Sequence, residues 1–253
     1  MIEIENLTTQ YPDGKTIHVD KERFEKGHLT VIIGKNGCGK TTLLKSVSGI
    51  MSYSGSIRIG EKECRKYTHR ERAKKISYLP QIVKPVSMDV STLVEHGRFP
   101  WHGNNRKMSK EDNGKVADAL ALTHMEAFAQ KDLSELSGGE LRRAYLSMTI
   151  AQGADIMLLD EPTTYMDIES QNLYFDIVKE LVKRGHGVVM PCHNIEQGFS
   201  YADRIVLMDV GKIKRSGTAA EVLKETDAIR EVFGAVVKKS EDADTLYPYV
   251  LAK

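Results

Sequence analysis

The sequence predicts an α/β fold: a mainly parallel sheet with helices on both faces, an attached antiparallel β layer and an inserted α-helical segment. Three observations predict it. Short runs rich in Val, Ile and Leu recur between stretches of helical periodicity: LTVII (29–33), ISYL (76–79), IMLL (156–159), VVM (188–190) and IVLM (205–208). Strands buried on both faces read this way. IEIENLTTQ (2–10), KTIHVD (15–20) and GSIRIG (55–60) instead alternate apolar with polar residues, as half-buried antiparallel strands do. From Gln81 to Gly153 the pattern turns helical, for example in STLVEHG (91–97) and DNGKVADALALTHM (112–125). That places one domain at 1–253, with residues 1–81 and 154–253 as the α/β core and about 82–153 as a helical subdomain.

Bulk properties narrow the function classes. With 253 residues, 41% of them hydrophobic, the chain can bury a full core. The net charge is +1, and acidic and basic residues are interspersed, so no basic stripe points to nucleic acid. MIEIENLTTQ has no signal-peptide pattern, and no run of eighteen apolar residues would cross a membrane. Three cysteines without metal-ligand spacing and dispersed histidines suggest a reduced intracellular protein with no metal site made of side chains alone.

The chemistry is carried by strand ends. GKNGCGKT (34–41) fits G-x-x-x-x-G-K-[ST] and lies between the strand LTVII and the helical TTLLKSVSG. Gly34, Lys35, Asn36, Gly37, Cys38 and Gly39 would wrap backbone N–H groups around a polyphosphate, continuing into Lys40, Thr41 and Thr42. Lys40 supplies a cation to the β/γ-phosphates, and the Thr41 hydroxyl is a Mg²⁺ ligand. In IMLLDEP (156–162) a buried strand ends in two carboxylates: Asp160 for Mg²⁺ and Glu161 as general base for an attacking water. ISYLPQ ends on Gln81, suited to the Mg²⁺ or the water, and VVMPCHN leads to His193, suited to the γ-phosphate. Ligands of such sheets bind beyond the carboxyl ends of the strands, so all four ends share one crevice.

A second anion-binding pattern stands a hundred residues later. LSGGE (136–140) opens a helix whose apolar side is Leu141, Ala144, Tyr145 and Met148, with Arg142 and Arg143 on another face. Ser137 can cap the helix or donate to an anion, and Gly138 and Gly139 leave N–H groups bare. The helix follows the helical insert rather than a strand, so it is not expected to face its own phosphate loop. Cys38, inside that loop at a helix N-terminus, reads as a small packing residue, with a lowered pKa and oxidation as the lesser alternative such a position allows.

The phosphate loop, LPQ, LSGGE, LLDEP, Met166-Asp167 and CHN together resemble the ATP-binding cassette ATPases of transporters, through almost the whole chain and in the family's order. The resemblance implies a P-loop NTPase core with ATP and Mg²⁺ as cofactors. It implies a head-to-tail dimer of two copies, each ATP held between one P-loop and the partner's Ser137, Gly138, Gly139 and Glu140. Asp167 then lies beside the catalytic glutamate at the dimer interface, Tyr11 stacks on adenine, and Gln81 contacts the membrane partners. Those partners are two transmembrane permease subunits, served by an extracytoplasmic substrate-binding protein, with the chain peripheral on the cytoplasmic face of the membrane. Glu140 stands where glutamine is frequent, and Tyr165-Met166 replace a small residue and leucine.

MDVSTLVEHGRFPWHG (88–103), LLDEPTTYMDIESQ (158–171) and EVLKETDAIREVFGAVV (221–237) resemble the importers of ferric siderophores, haem and vitamin B12. Ferric siderophore is the cargo this favours, with haem or cobalamin as alternatives. A soluble cassette acting on DNA or ribosomes would bring a tandem cassette, a coiled-coil insert or a basic extension. A P-loop kinase would leave LSGGE and His193 without a role.

Overall fold

The computed structural model describes residues 1–10, 14–102, 107–161, 166–234, 236–239 and 248–251. Its strands are β1 (Ile2–Gln10), β2 (Thr16–Phe24), β3 (Leu29–Ile33), β4 (Ser54–Ile59), β5 (Lys62–Glu63) and β6 (Ile76–Leu79). They continue with β7 (Ile156–Leu159), β8 (Gly187–Pro191), β9 (Arg204–Asp209) and β10 (Lys212–Thr218), then a separate hairpin of β11 (Val236–Lys239) and β12 (Pro248–Leu251).

One ten-stranded sheet runs β5-β4-β1-β2-β10-β9-β3-β8-β7-β6. From β9 to β6 all pairings are parallel, and from β9 outward through β10 and from β2 to β5 they are antiparallel. The two halves meet at β10 and β2, which pair in parallel through a single register position, Lys212 with His18. All five apolar runs read from the sequence are strands of the parallel half.

Every residue of β3 is buried, and its side chains alternate between two cores. Ile32 packs with Leu43, Leu44 and Val47 of α1 (Lys40–Val47). Val31 and Ile33 pack with residues such as Phe175 of α7 (Ile168–Lys183) and Phe199 of α8 (Ile195–Tyr201). Full burial of each such side chain contributes about 1.5–3 kcal/mol, so the strand that launches the phosphate loop is held from both sides.

Between β6 and β7 lie α3 (Val90–His96), α4 (Phe99–His102), α5 (Lys110–Leu122) and α6 (Gly138–Ala151). Of these, α3, α5 and α6 share a core of their own, including Val90, Leu93, Val94, Val116, Leu120, Leu141 and Ala144. Polar contacts seam this group to α2 (His69–Ala73) and β6. Arg98 pairs with Asp112 at 2.9 Å and donates to the Ala151 carbonyl at 2.7 Å. Trp101 Nε1 donates to the Gln152 carbonyl at 2.7 Å, and Gln152 Nε2 donates to Ala73 O at 2.6 Å and Ile76 O at 3.2 Å. On the far side, α9 (Ala219–Lys224) and α10 (Thr226–Phe233) add Val222, Leu223, Ile229 and Val232 to the main core.

Candidate functional site

The loop after β3 is shaped by two glycines. Gly34 lies so close to β9 that a Cβ there would meet Met208 O at 2.3 Å and Cys38 Sγ at 2.7 Å. Gly39 starts α1 at φ 113°, a conformation that side chains resist. Between them Cys38 N donates to Lys35 O at 3.2 Å, and Gly211 N donates to Cys38 O at 3.0 Å, fixing the curl against the β9–β10 turn. Lys35, Asn36 and Gly37 are exposed, whereas Lys40 and Thr42 are buried. Lys40 Nζ folds back to the carbonyls of Gly34 at 2.9 Å and Lys35 at 3.2 Å, so its charge sits inside the loop. Cys38 is buried and packed in the core, and its lowered-pKa alternative does not hold: burial pushes the thiol pKa up, and the nearby Lys40 charge only partly offsets this.

The parallel register brings the other strand ends to the same edge. Thr41 Oγ1 donates to Asp160 Oδ1 at 2.8 Å, and Tyr78 OH donates to Asp160 Oδ2 at 2.9 Å. Asp160 is 1% exposed, and burial raises its pKa while these two hydroxyls pull it back toward the carboxylate. Next to it, Glu161 adopts φ 46°, in the left-handed region. Its carboxylate is held at both oxygens: Gln81 Nε2 donates to Oε2, and His193 Nε2 lies 2.9 Å from Oε1. Glu161, Gln81, His193, Asp160, Thr41 and Lys40 are thus assembled at one sheet edge.

LSGGE is built differently. Ser137 Oγ accepts from Glu140 N at 3.3 Å while Glu140 Oε2 accepts from Ser137 N at 2.8 Å, a reciprocal cap that starts α6. The Ser137 N–H holds the Glu140 carboxyl below its usual pKa. Ser137 and Gly138 are exposed, and a Cβ on Gly138 would meet nothing within 4 Å. Gly138 and Gly139 line a cleft of about 450 Å³ with Gln81, Arg142, Asp167 and Ser170, and no P-loop residue borders it. Asp167 caps α7, accepting from Ser170 N at 2.7 Å, which keeps its carboxyl pKa low. Tyr11 and Tyr165 lie outside the described residues.

Two contributors went unassigned in the sequence reading. Tyr78 sits three residues before Gln81, and a run that reads as buried on both faces gives no sign that its hydroxyl reaches Asp160. Arg142 looked like a surface residue of α6, yet its guanidinium donates to the carbonyls of Glu161, at 3.1 Å, and of Gln81. The Thr41 hydroxyl and the Asp160 carboxylate, 2.8 Å apart, are hard oxygen donors of the kind that suits Mg²⁺ shared with phosphate and water. The curled loop with Lys40 inside it suits a polyphosphate.

Comparison with known proteins agrees with this chemistry. Residues 18–164 match the family model described as ABC transporter. The chain is 37% identical over 246 residues to a petrobactin import ATP-binding protein of Bacillus anthracis, covering 95% of this chain and 89% of that one. It is 32% identical over 250 residues to an iron(3+)-hydroxamate import ATP-binding protein of Bacillus subtilis, covering 98% and 93%. Among solved structures, an inward-facing metal-chelate type ABC transporter superposes with a TM-score of 0.83 at 23% identity, covering 100% of this chain and 98% of that one. A dimeric bacterial ABC transporter cassette gives 0.75 at 23% identity, covering 87% and 99%.

Proposed function

The chain belongs to the ABC transporter ATPase family, and from that premise we propose that it powers the import of a ferric chelate, with a siderophore as the chelated cargo. The observation that carries the ATPase reading is the Glu161 carboxylate, held by Gln81 and His193 beside the Thr41–Asp160 pair. Cargo is inferred from likeness over nearly the whole chain to proteins named for petrobactin and iron(3+)-hydroxamate import.

In this reading the backbone of residues 34–42 cradles the phosphates of ATP, and Lys40 exchanges its two loop carbonyls for phosphate oxygens. Thr41, Asp160 and Gln81 would hold Mg²⁺, which supplies charge neutralisation on the phosphates. Tyr78 keeps the second oxygen of Asp160 turned away, so that Oδ1 faces the loop. Glu161 accepts a proton from the attacking water, a contribution of about 10²–10⁴ in rate for a well-placed base. His193 donates to a γ-phosphate oxygen, and Tyr11 stacks on adenine. Ser137, Gly138, Gly139 and Glu140 of a second copy complete the site from the other side, with Asp167 beside it. That arrangement accounts for two exposed LSGG residues that their own chain does not cover.

Among the described residues no helix is long and apolar enough to cross a membrane. Two transmembrane permease subunits, with an extracytoplasmic binding protein upstream of them, would supply the path, and the helical group from α3 to α6 is the part offered to the permeases. The test is growth of an iron-limited deletion strain on defined ferric siderophores, haem or cobalamin. Restoration of siderophore-dependent growth by the chain, and not by its Glu161→Gln form, is the expected result. Rescue on haem or cobalamin alone would replace the cargo assignment.

A further inference from the structure

Arg142 lies one turn into α6, the helix that begins with Ser137, Gly138 and Gly139. Its guanidinium reaches two loops at once, with Nη1 on the carbonyl of Glu161 at 3.1 Å and Nη2 on the carbonyl of Gln81. Those carbonyls follow the neighbouring strands β6 and β7, and the side chains of the same two residues are bonded to each other. A guanidinium is a planar fork whose charged N–H groups make strong, directed hydrogen bonds. One residue therefore grips both catalytic loops through their main chain and leaves their side chains free for chemistry.

The grip falls where the backbone needs it. Glu161 stands at φ 46°, a conformation that a glutamate keeps only when its surroundings impose it. Among the described residues three groups hold it here: Gln81 and His193 on the carboxylate, and Arg142 on the carbonyl. Of the three, only Arg142 comes from α6. The first turn of that helix is locked by the Ser137–Glu140 cap, so Ser137 and Arg142 move as one body.

We infer that Arg142 is a positioning residue that ties the geometry of Glu161 and Gln81 to the placement of the LSGG helix. The inference rests on the reading that Ser137, Gly138 and Gly139 bind the nucleotide held by the P-loop of a second copy. When α6 is drawn onto that nucleotide, the Arg142 fork sets the catalytic loops of its own chain. Each site is then readied by what the same chain does at the other site. Such a link is reciprocal and appears as cooperativity between the two sites.

The experiment compares the full-length chain with its Arg142→Ala and Arg142→Lys forms. A fluorescent ATP analogue at low protein concentration reads binding to the single chain, and hydrolysis against ATP concentration reads kcat and the Hill coefficient. Arg142→Ala is expected to keep analogue affinity within about twofold while kcat falls about 10- to 100-fold, as for a small misplacement of reacting groups. Its Hill coefficient should drop from near 2, the number of sites, toward about 1. Arg142→Lys keeps the charge without the fork and should recover part of both. An unchanged kcat and Hill coefficient in Arg142→Ala would overturn the inference. So would loss of analogue binding in step with kcat, which would make Arg142 a support of the fold. Ser137→Arg serves as the control: if it hydrolyses cooperatively at the parent rate, the two-copy reading of LSGG fails. If it is inactive while Arg142→Ala matches the parent, that reading stands and the role of Arg142 falls.

Discussion

Val210 occupies the two-residue turn between β9 and β10 at φ 41°, followed by Gly211 at φ 75°. Both positions are left-handed, as this kind of hairpin turn requires, but a β-branched side chain is poorly suited to the first. Val210 is also 82% exposed, so packing does not offset the strain. Val210→Asn, with a residue that tolerates this backbone, should stabilise the chain by about 1 kcal/mol and raise its thermal midpoint by about 2–4 °C. Differential scanning calorimetry reads this directly, and no rise would mean that the strain is relieved elsewhere. Residues of this kind mark where the sequence was legible and where it was not. Lys40, Thr41, Asp160 and Glu161 could be placed because spacing and strand context fix them. Tyr78 and Arg142 could not, because their partners lie 82 and 19 residues away, and only the packed sheet brings them together.

Among the elements, the seam around α4 shows how the helical group is tied together. Arg98 and Asp112 expose only 4% and 9% of their side chains, and each has polar partners beyond the other. The Ser109 hydroxyl foremost, aided by Arg98, holds the Asp112 pKa down to about 2. A depressed carboxylate pKa stabilises the fold above the ordinary carboxylate range, and that stabilisation is lost as the pH falls from there toward about 2. Arg98→Ala would strand the Asp112 charge and cost about 3–5 kcal/mol. Arg98→Ala with Asp112→Ala should cost less than the two single changes summed. Trp101, the sole tryptophan, has the Arg98 guanidinium 5.0 Å from its ring centroid, so its fluorescence during urea unfolding reports this seam. Strands were the most legible elements, since fully buried runs such as LTVII permit little else. The seam was not legible, because GRFPW gives no periodic pattern and its bonds run to residues some fifty positions away.

For the whole molecule, the proposed pairing of two chains over ATP predicts a change of mass. Glu161→Gln removes the proton acceptor and keeps the P-loop, so ATP should convert this variant into a lasting dimer. Size-exclusion chromatography with light scattering should show about twice the monomer mass with ATP and the monomer without it. Adding Ser137→Arg should abolish the dimer. A monomer in both conditions would argue against closure over ATP. The sheet itself narrows to one paired position, Lys212 with His18, between β10 and β2, beside the Gly211 contact to the P-loop. The phosphate loop stands on one side of that position and β1 on the other. Under the adenine contact proposed for Tyr11, a nucleotide whose phosphates fill the loop would act as a rivet across that narrow join. Binding would then stiffen the sheet, so the proposed fuel also splints the engine block before it burns.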